Sequence, residues 1–215
     1  MLHKNLLVAV IVLVVLWAGE ANATAILTPG NNPQPDENVL LNTGITGNPI
    51  FGTTNQTGLS VRFTGQEPIT APANGQARID AADDLFTYLM IDVPNGSFTS
   101  LILNPDATID GTVDFTATTI LGGVTRIETF NNIAVTGSGN NFFTFTTIDG
   151  QRFLNIAFQA DGALTFADVA QFRIGGAQIT PPPPPQSVAD AASTLSLLGF
   201  GLAGIAAARR RLTRS

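Results

Sequence analysis

Between residues 59 and 174 no apolar run keeps a 3.6-residue period; short stretches rich in Val, Ile, Thr and Phe alternate instead with Gly, Asn, Asp and Pro. A helix that packs on one side needs apolar residues at i, i+3, i+4 and i+7, whereas a half-buried strand needs them at every second position. The runs at 59–64, 77–81, 85–93, 98–103, 112–121, 124–136, 142–148, 152–159 and 167–174 therefore predict strands. Nine strands in about 116 residues predict an all-β domain over 57–180, an antiparallel β-sandwich of jelly-roll-like type.

The punctuation agrees. Asn95-Gly96, Asp149-Gly150 and Asp161-Gly162 sit between apolar runs, where the positive φ tolerated by Asn, Asp and Gly suits tight turns. On this pattern residues 142–174 read as an antiparallel meander, with Leu154, Ile156 and Phe158 on one face and Phe143, Phe145, Leu89, Ile91 and Leu101 in the core. Residues 24–56 are rich in Pro, Asn, Gly and Thr, with few large apolar side chains, and predict an irregular lead-in, either a long surface loop or a lead-in strand around 39–41.

The two ends differ from this middle. Residues 1–23 have a basic start (His3, Lys4), an apolar run at 6–18 and then small residues, the three-part pattern of a signal peptide removed by signal peptidase. Thirteen apolar residues are fewer than the roughly 20 that cross a bilayer. Cleavage fits after Ala21-Asn22-Ala23 or after Ala23-Thr24-Ala25, the first being preferred. At the other end, five prolines (181–185) predict a stiff extended spacer over 181–187. Residues 188–215 form a tail, in which the 18 uncharged residues 191–208 predict a single hydrophobic helix. At about 1.5 Å per residue that helix just spans a thin bilayer. Arg209, Arg210 and Arg211 would then stop it on the cytoplasmic side, leaving the body of the chain outside.

In order and position, this polar motif, apolar run and terminal arginine cluster resemble the PEP-CTERM family of sorting signals on exported proteins of Gram-negative bacteria. The variant most alike reads Val-Pro-Asp-Ser-Gly-x-Thr. Val188, Asp190 and Thr194 match it, and Ser193-Thr194-Leu195 leads into the Leu/Gly/Ala run as in the family, while Ala189 stands for its proline and Ala192 for its glycine. The resemblance covers about 30 residues. It implies processing near 188–194 by an exosortase, an integral membrane transpeptidase-like enzyme. It also implies a transient inner-membrane anchor, and then residence at the cell surface or in an exopolysaccharide or biofilm matrix. An ordinary tail anchor that stays in the membrane is the plainer reading of the same segment.

Residues 24–180 hold fourteen acidic and five basic residues, a net charge of about −9 that makes nucleic acid an unsuitable partner. The chain has no cysteine, and its one histidine and one lysine fall in the signal peptide. Without Cys, His or Lys the mature domain cannot build a Ser-His-Asp triad, a Cys-His pair, a Schiff base or a His-ligated zinc site. A non-catalytic role is therefore expected. Carboxylate chemistry survives, with Asp83, Asp84, Glu67 and Glu128 as the acids a glycosidase would need, although no spacing singles out a pair. No cofactor is required. Calcium is the one ion the composition favours, with Asp80, Asp83 and Asp84 at one strand junction and Asp106, Asp110 and Asp114 around another, but solvated turn aspartates explain both groups better. Two functions remain open: a structural or adhesive matrix component, and a carbohydrate-binding, calcium-assisted module that holds extracellular polysaccharide.

Overall fold

The computed structural model describes residues 25–82 and 85–179. The chain divides between Ile179 and Thr180 into two units, and the described residues all belong to the first. The segments read above as a signal peptide, a spacer and a sorting tail lie outside them, and so do Asp83 and Asp84.

All regular structure among the described residues is β. In chain order the strands are β1 (Ala25–Pro29), β2 (Glu37–Leu41), β3 (Thr46–Gly47), β4 (Ile50–Thr54), β5 (Ser60–Gly65), β6 (Ile69–Thr70), β7 (Gly75–Gln76), β8 (Arg78–Ala81) and β9 (Tyr88–Asp92). They continue as β10 (Gly96–Ser97), β11 (Ser100–Ala107), β12 (Gly111–Leu121), β13 (Val124–Val135), β14 (Phe143–Thr147), β15 (Arg152–Ala160), β16 (Phe166–Gly175) and β17 (Gln178–Ile179).

Every pairing is antiparallel, and the main ladder runs β1-β14-β11-β16-β2-β4-β5-β9-β15-β12-β13. Its turning point is β2. Glu37 and Asn38 pair with Ile174 and Arg173 of β16, while Val39 and Leu40 pair with Thr54 and Thr53 of β4. One short strand thus carries the ladder from one half to the other, and the halves meet across phenylalanines. The Phe115 ring of β12 lies 5.0 Å from Phe143 and 5.1 Å from Phe145 of β14; Phe158 of β15 lies 5.0 Å from Phe166 of β16, and Phe63 of β5 lies 4.8 Å from Phe172. Each such ring removed from water stabilises the fold by roughly 1.5–3 kcal/mol. The two ends of the path approach each other as well: Glu128 of β13 accepts a 2.7 Å hydrogen bond from the Ala25 backbone N–H of β1. A side chain stands where a ladder bond would close the ring, so the sheet is nearly barrel-shaped.

The expected turns form, with Asn95, Asp149 and Gly162 all at positive φ. The meander over 142–174 does not. β14 pairs with β1 and β11, β15 with β9 and β12, and β16 with β11, β2 and β8. The Asp149-Gly150 turn reverses the chain, but the strands it joins pack face to face, with Phe145 and Phe153 6.5 Å apart across the core. Both strands own apolar faces, and burying these governs the arrangement more than edge pairing does.

Two further expectations change. Leu154 leaves the core face because the register with β12 slips there: Thr118 faces Asn155 but Thr119 faces Phe153, so Leu154 is the extra residue of a bulge and Phe153 is fully buried instead. The stretch read as an irregular lead-in contains β1 to β4. Its inward positions are filled by Val39, Leu41, Ile50, Gly52 and Thr54, small enough on average to weaken any apolar signal. Glu37 is also inward and holds the turn between β4 and β5. Burial raises its carboxyl, but hydrogen bonds from the Thr57 and Gln56 backbone N–H groups (2.8 and 3.1 Å) and the Thr57 hydroxyl outweigh burial and keep it below the ordinary value.

Candidate functional site

Polar chemistry gathers in two places on the half built around β16. The first is a concavity of about 270 Å³ lined by Asn31, Gln34, Gln76, Ile102, Phe142, Gln171 and Arg173. Its geometry follows from a bulge. The register between β11 and β16 slips between Ile102 and Asn104, and Gln171 takes a φ of 59° there, which places its side chain on the exposed side. Arg173 then reaches the preceding loop, donating from Nε and Nη2 to the Pro35 carbonyl (3.1 and 2.8 Å) and from Nη1 to Asn38 Oδ1 (3.2 Å). That clamp fixes the loop bearing Asn31 and Gln34 against Gln76 of β7. Four side-chain amides with donors and acceptors surround a half-buried ring, and no carboxylate lines the cavity. Such a lining bonds neutral hydroxyls and offers no group for proton transfer.

The second is a row of aspartates on adjacent strands. Asp80 of β8 is directly opposite Asp168 of β16, which is directly opposite Asp106 of β11. Arg78 bridges two of them, with Nη2 2.8 Å from Asp168 Oδ2 and Nε 3.3 Å from Asp80 Oδ1. Burial pushes the Asp80 carboxyl up against the pull of Arg78. Burial also raises Asp168, where Arg78 opposes the rise while Asp80 and Asp106 add to it. Asp80 Oδ1 is buried, and its 3.3 Å contact with Arg78 Nε is an ion pair without hydrogen-bond geometry.

The sign of the pH effect follows. Both acids bind their protons more tightly in the folded state than in the unfolded chain. Stability therefore falls as pH rises through the window above the ordinary aspartate value, and grows as pH drops into it. We expect the melting temperature of the parent to climb from pH 7 towards about pH 5 by more than that of Asp168→Asn, which lacks the central carboxylate. Equal slopes in a thermal melt series would show that the row is not electrostatically coupled to folding.

The structure thus brings together Asp80 and Asp106, which the sequence placed in separate groups, through Asp168, which it did not single out. Asp110 goes elsewhere and accepts from the Gly137 N–H at 2.8 Å; Asp114 accepts from the Asn132 N–H at 2.7 Å, beside a bulge. Asp110 thus holds the loop after β13, and Asp114 holds the bulge within it. Among the described residues no three His, Cys, Asp or Glu side chains are arranged to hold a metal ion. Glu128 belongs to a third polar group: its Oε1 accepts from Thr119 Oγ1 (3.1 Å) and Gln151 Nε2 (2.5 Å). Gln151 and Thr119 are both buried, and Gln151 Oε1 has no partner. Glu67, in the turn after β5, accepts from Gln66 Nε2. Sequence reasoning missed Gln171 and Arg173; the Gln/Asn-rich stretches at 31–34 and 74–76 were visible, but nothing local showed that they meet.

No protein-family model matches the chain, and no curated protein or solved structure matches it.

Proposed function

We propose that this chain is an exported, non-catalytic protein of the bacterial cell surface or extracellular matrix, a jelly-roll-like sandwich delivered by a PEP-CTERM-type tail and processed by an exosortase. The observation that carries the reading is the order at the C-terminus: Val188, Asp190, Ser193 and Thr194, then the uncharged run, then Arg209, Arg210 and Arg211. The division of the chain between Ile179 and Thr180, just before the five prolines, fits that reading. Two β-halves facing across phenylalanines support the sandwich.

The test is mass spectrometry of the protein recovered from its producing cell. A C-terminus within 188–194 is expected; an intact Ser215 in the mature pool would replace processing with a permanent anchor.

The cavity beside β16 favours a second reading, retention of extracellular polysaccharide. Amide side chains at Gln34 and Gln76 would bond sugar hydroxyls while Phe142 offers a ring face, and calcium, which the aspartate-rich turns of the sequence favour, is tested as an aid to affinity. On immobilised polysaccharides the variant Gln34→Ala/Gln76→Ala is expected to lose roughly tenfold in retention, two hydrogen bonds at about 0.7 kcal/mol each, with an unchanged melting temperature. Runs with millimolar calcium and with chelator separate the two parts: saturable binding that ignores calcium keeps the saccharide and removes the ion, and no saturable binding leaves the matrix role alone.

A further inference from the structure

The cavity beside β16 holds a positive charge without a counter-charge. Arg62 pairs with Asp92, and Arg78 with Asp80 and Asp168, but Arg173 spends its hydrogen bonds on neutral acceptors, the Pro35 carbonyl and Asn38 Oδ1. Among the described residues no carboxylate forms an ion pair with it. Asp36, next to Pro35, is exposed, and Glu37 is turned inward onto Gln56 and Thr57. Asp168 lies five residues back along β16, about 16 Å at the usual strand rise, and is already held by Arg78.

A guanidinium carries five N–H groups. Nε and one N–H of Nη2 meet Pro35, and one N–H of Nη1 meets Asn38, so one remains on each terminal nitrogen. The same bonds fix the group in place, which lowers the side-chain entropy lost when an anion arrives. A fixed cation with two donors to spare, in a concavity otherwise lined by amides and a half-buried ring, matches a carboxylate carried on a molecule rich in hydroxyls.

Building on the saccharide reading of that cavity, we infer that it takes an acidic sugar, a uronate residue of a polysaccharide, with the carboxylate on the two remaining N–H groups of Arg173 and hydroxyls on Gln34 and Gln76. One cation meets one negative charge, which suits a carboxylate better than a doubly charged phosphate. An acidic peptide would bring the carboxylate but neither ring hydroxyls for the amides nor a sugar face for Phe142. The net charge of about −9 over residues 24–180 opposes a polyanion gripped along its length by many cations; it does not oppose a single carboxylate taken at one clamped arginine, because at about 0.15 M salt charges beyond roughly 8 Å are largely screened.

The probes are polygalacturonate and the same polymer with its carboxyls reduced to primary alcohols, which removes the charge and keeps the ring and its linkages. The full chain in detergent, at about 0.15 M salt with chelator so that no divalent cation bridges two acidic partners, is expected to bind polygalacturonate saturably and roughly tenfold or more tighter than the reduced polymer. Arg173→Gln is expected to bring that ratio close to one, and Arg173→Lys, which keeps the charge without the fork, to give an intermediate ratio. A ratio taken within one variant cancels any loss of folded protein, and the parent's own preference is decisive even where a variant does not fold. Equal binding of the two polymers by the parent would overturn the uronate and leave the saccharide reading standing, whereas no saturable binding of either would remove both. Poly-glutamate bound as tightly as polygalacturonate would show an anion site without sugar selectivity and overturn the assignment as well. A preference that survives intact in Arg173→Gln would overturn the role of Arg173.

Discussion

Phe158→Asp is expected to leave the chain without a folded domain at 25 °C. Phe158 is 1% exposed, and its ring lies 5.0 Å from Phe166, 6.0 Å from Phe115 and 6.3 Å from Phe86. It therefore joins the two halves of the ladder at the point where their inner faces meet. Truncation alone, as in Phe158→Ala, removes the transfer term and opens a cavity, together about 3–5 kcal/mol. That lowers the melting temperature by roughly 10–20 °C for a domain of this size. Aspartate adds a carboxylate with no donor around it, several kcal/mol more even if it protonates. Against a total stability of about 5–15 kcal/mol the sum is decisive. Far-UV circular dichroism and hydrogen exchange read the outcome; a cooperative melt within about 20 °C of the parent would show that the halves do not depend on this junction.

The second large effect comes from adding atoms instead of removing them. Gly52 sits in the middle of β4, between β2 and β5, and a Cβ built on it would lie 2.8 Å from Val39 Cγ1, 2.9 Å from the Leu40 carbonyl oxygen and 3.3 Å from the Phe63 ring. The first contact belongs to a side chain that rotates, but the second is backbone of β2, the strand shared by both halves. Gly52→Val must therefore push β2 away from β4 or distort the sheet, an overpacking cost of about 3 kcal/mol or more. In denaturant unfolding the midpoint should fall accordingly, with Gly52→Ala intermediate. The double variant Gly52→Ala/Val39→Ala should recover only part of the loss, because shortening Val39 leaves the carbonyl in place. Full recovery would assign the strain to side chains alone.

How much was legible in the sequence depends on the range of the interaction. Turns were readable because Asn95, Asp149 and Gly162 settle their own conformation locally. The inward positions of Leu89, Ile91, Leu101, Phe143, Phe145 and Phe158 were readable from period and bulk, and all six are buried. Pairing was not. Nothing near Phe143–Thr147 says that its neighbours are β1 and β11, since that choice is made by which apolar faces meet across the core. Bulges were equally hidden: at Leu154 one extra residue reverses the alternation, and the sequence shows only a blurred pattern. The candidate site inherits both problems. Asp80 and Asp106 meet only through Asp168, and the cavity is assembled from residues of five separate stretches, so neither has a local signature. Of the strands before residue 55 the sequence offered only one, around 39–41; β4 was hidden because Gly52 and Thr54 occupy inward slots where a bulky residue would have announced it.

The shared strand β2 also sets a timetable. The chain emerges from its N-terminus, at about 5–20 residues per second, yet Asn38 of β2 finds its outer partner only in Arg173, and Ala25 of β1 finds its own only in Thr147. β1 and β2 must therefore wait for β14 and β16 before the half that joins them is complete. Closing such distant pairs is slow. A chain built this way completes the half containing β16 only after that strand, Phe166–Gly175, has been made.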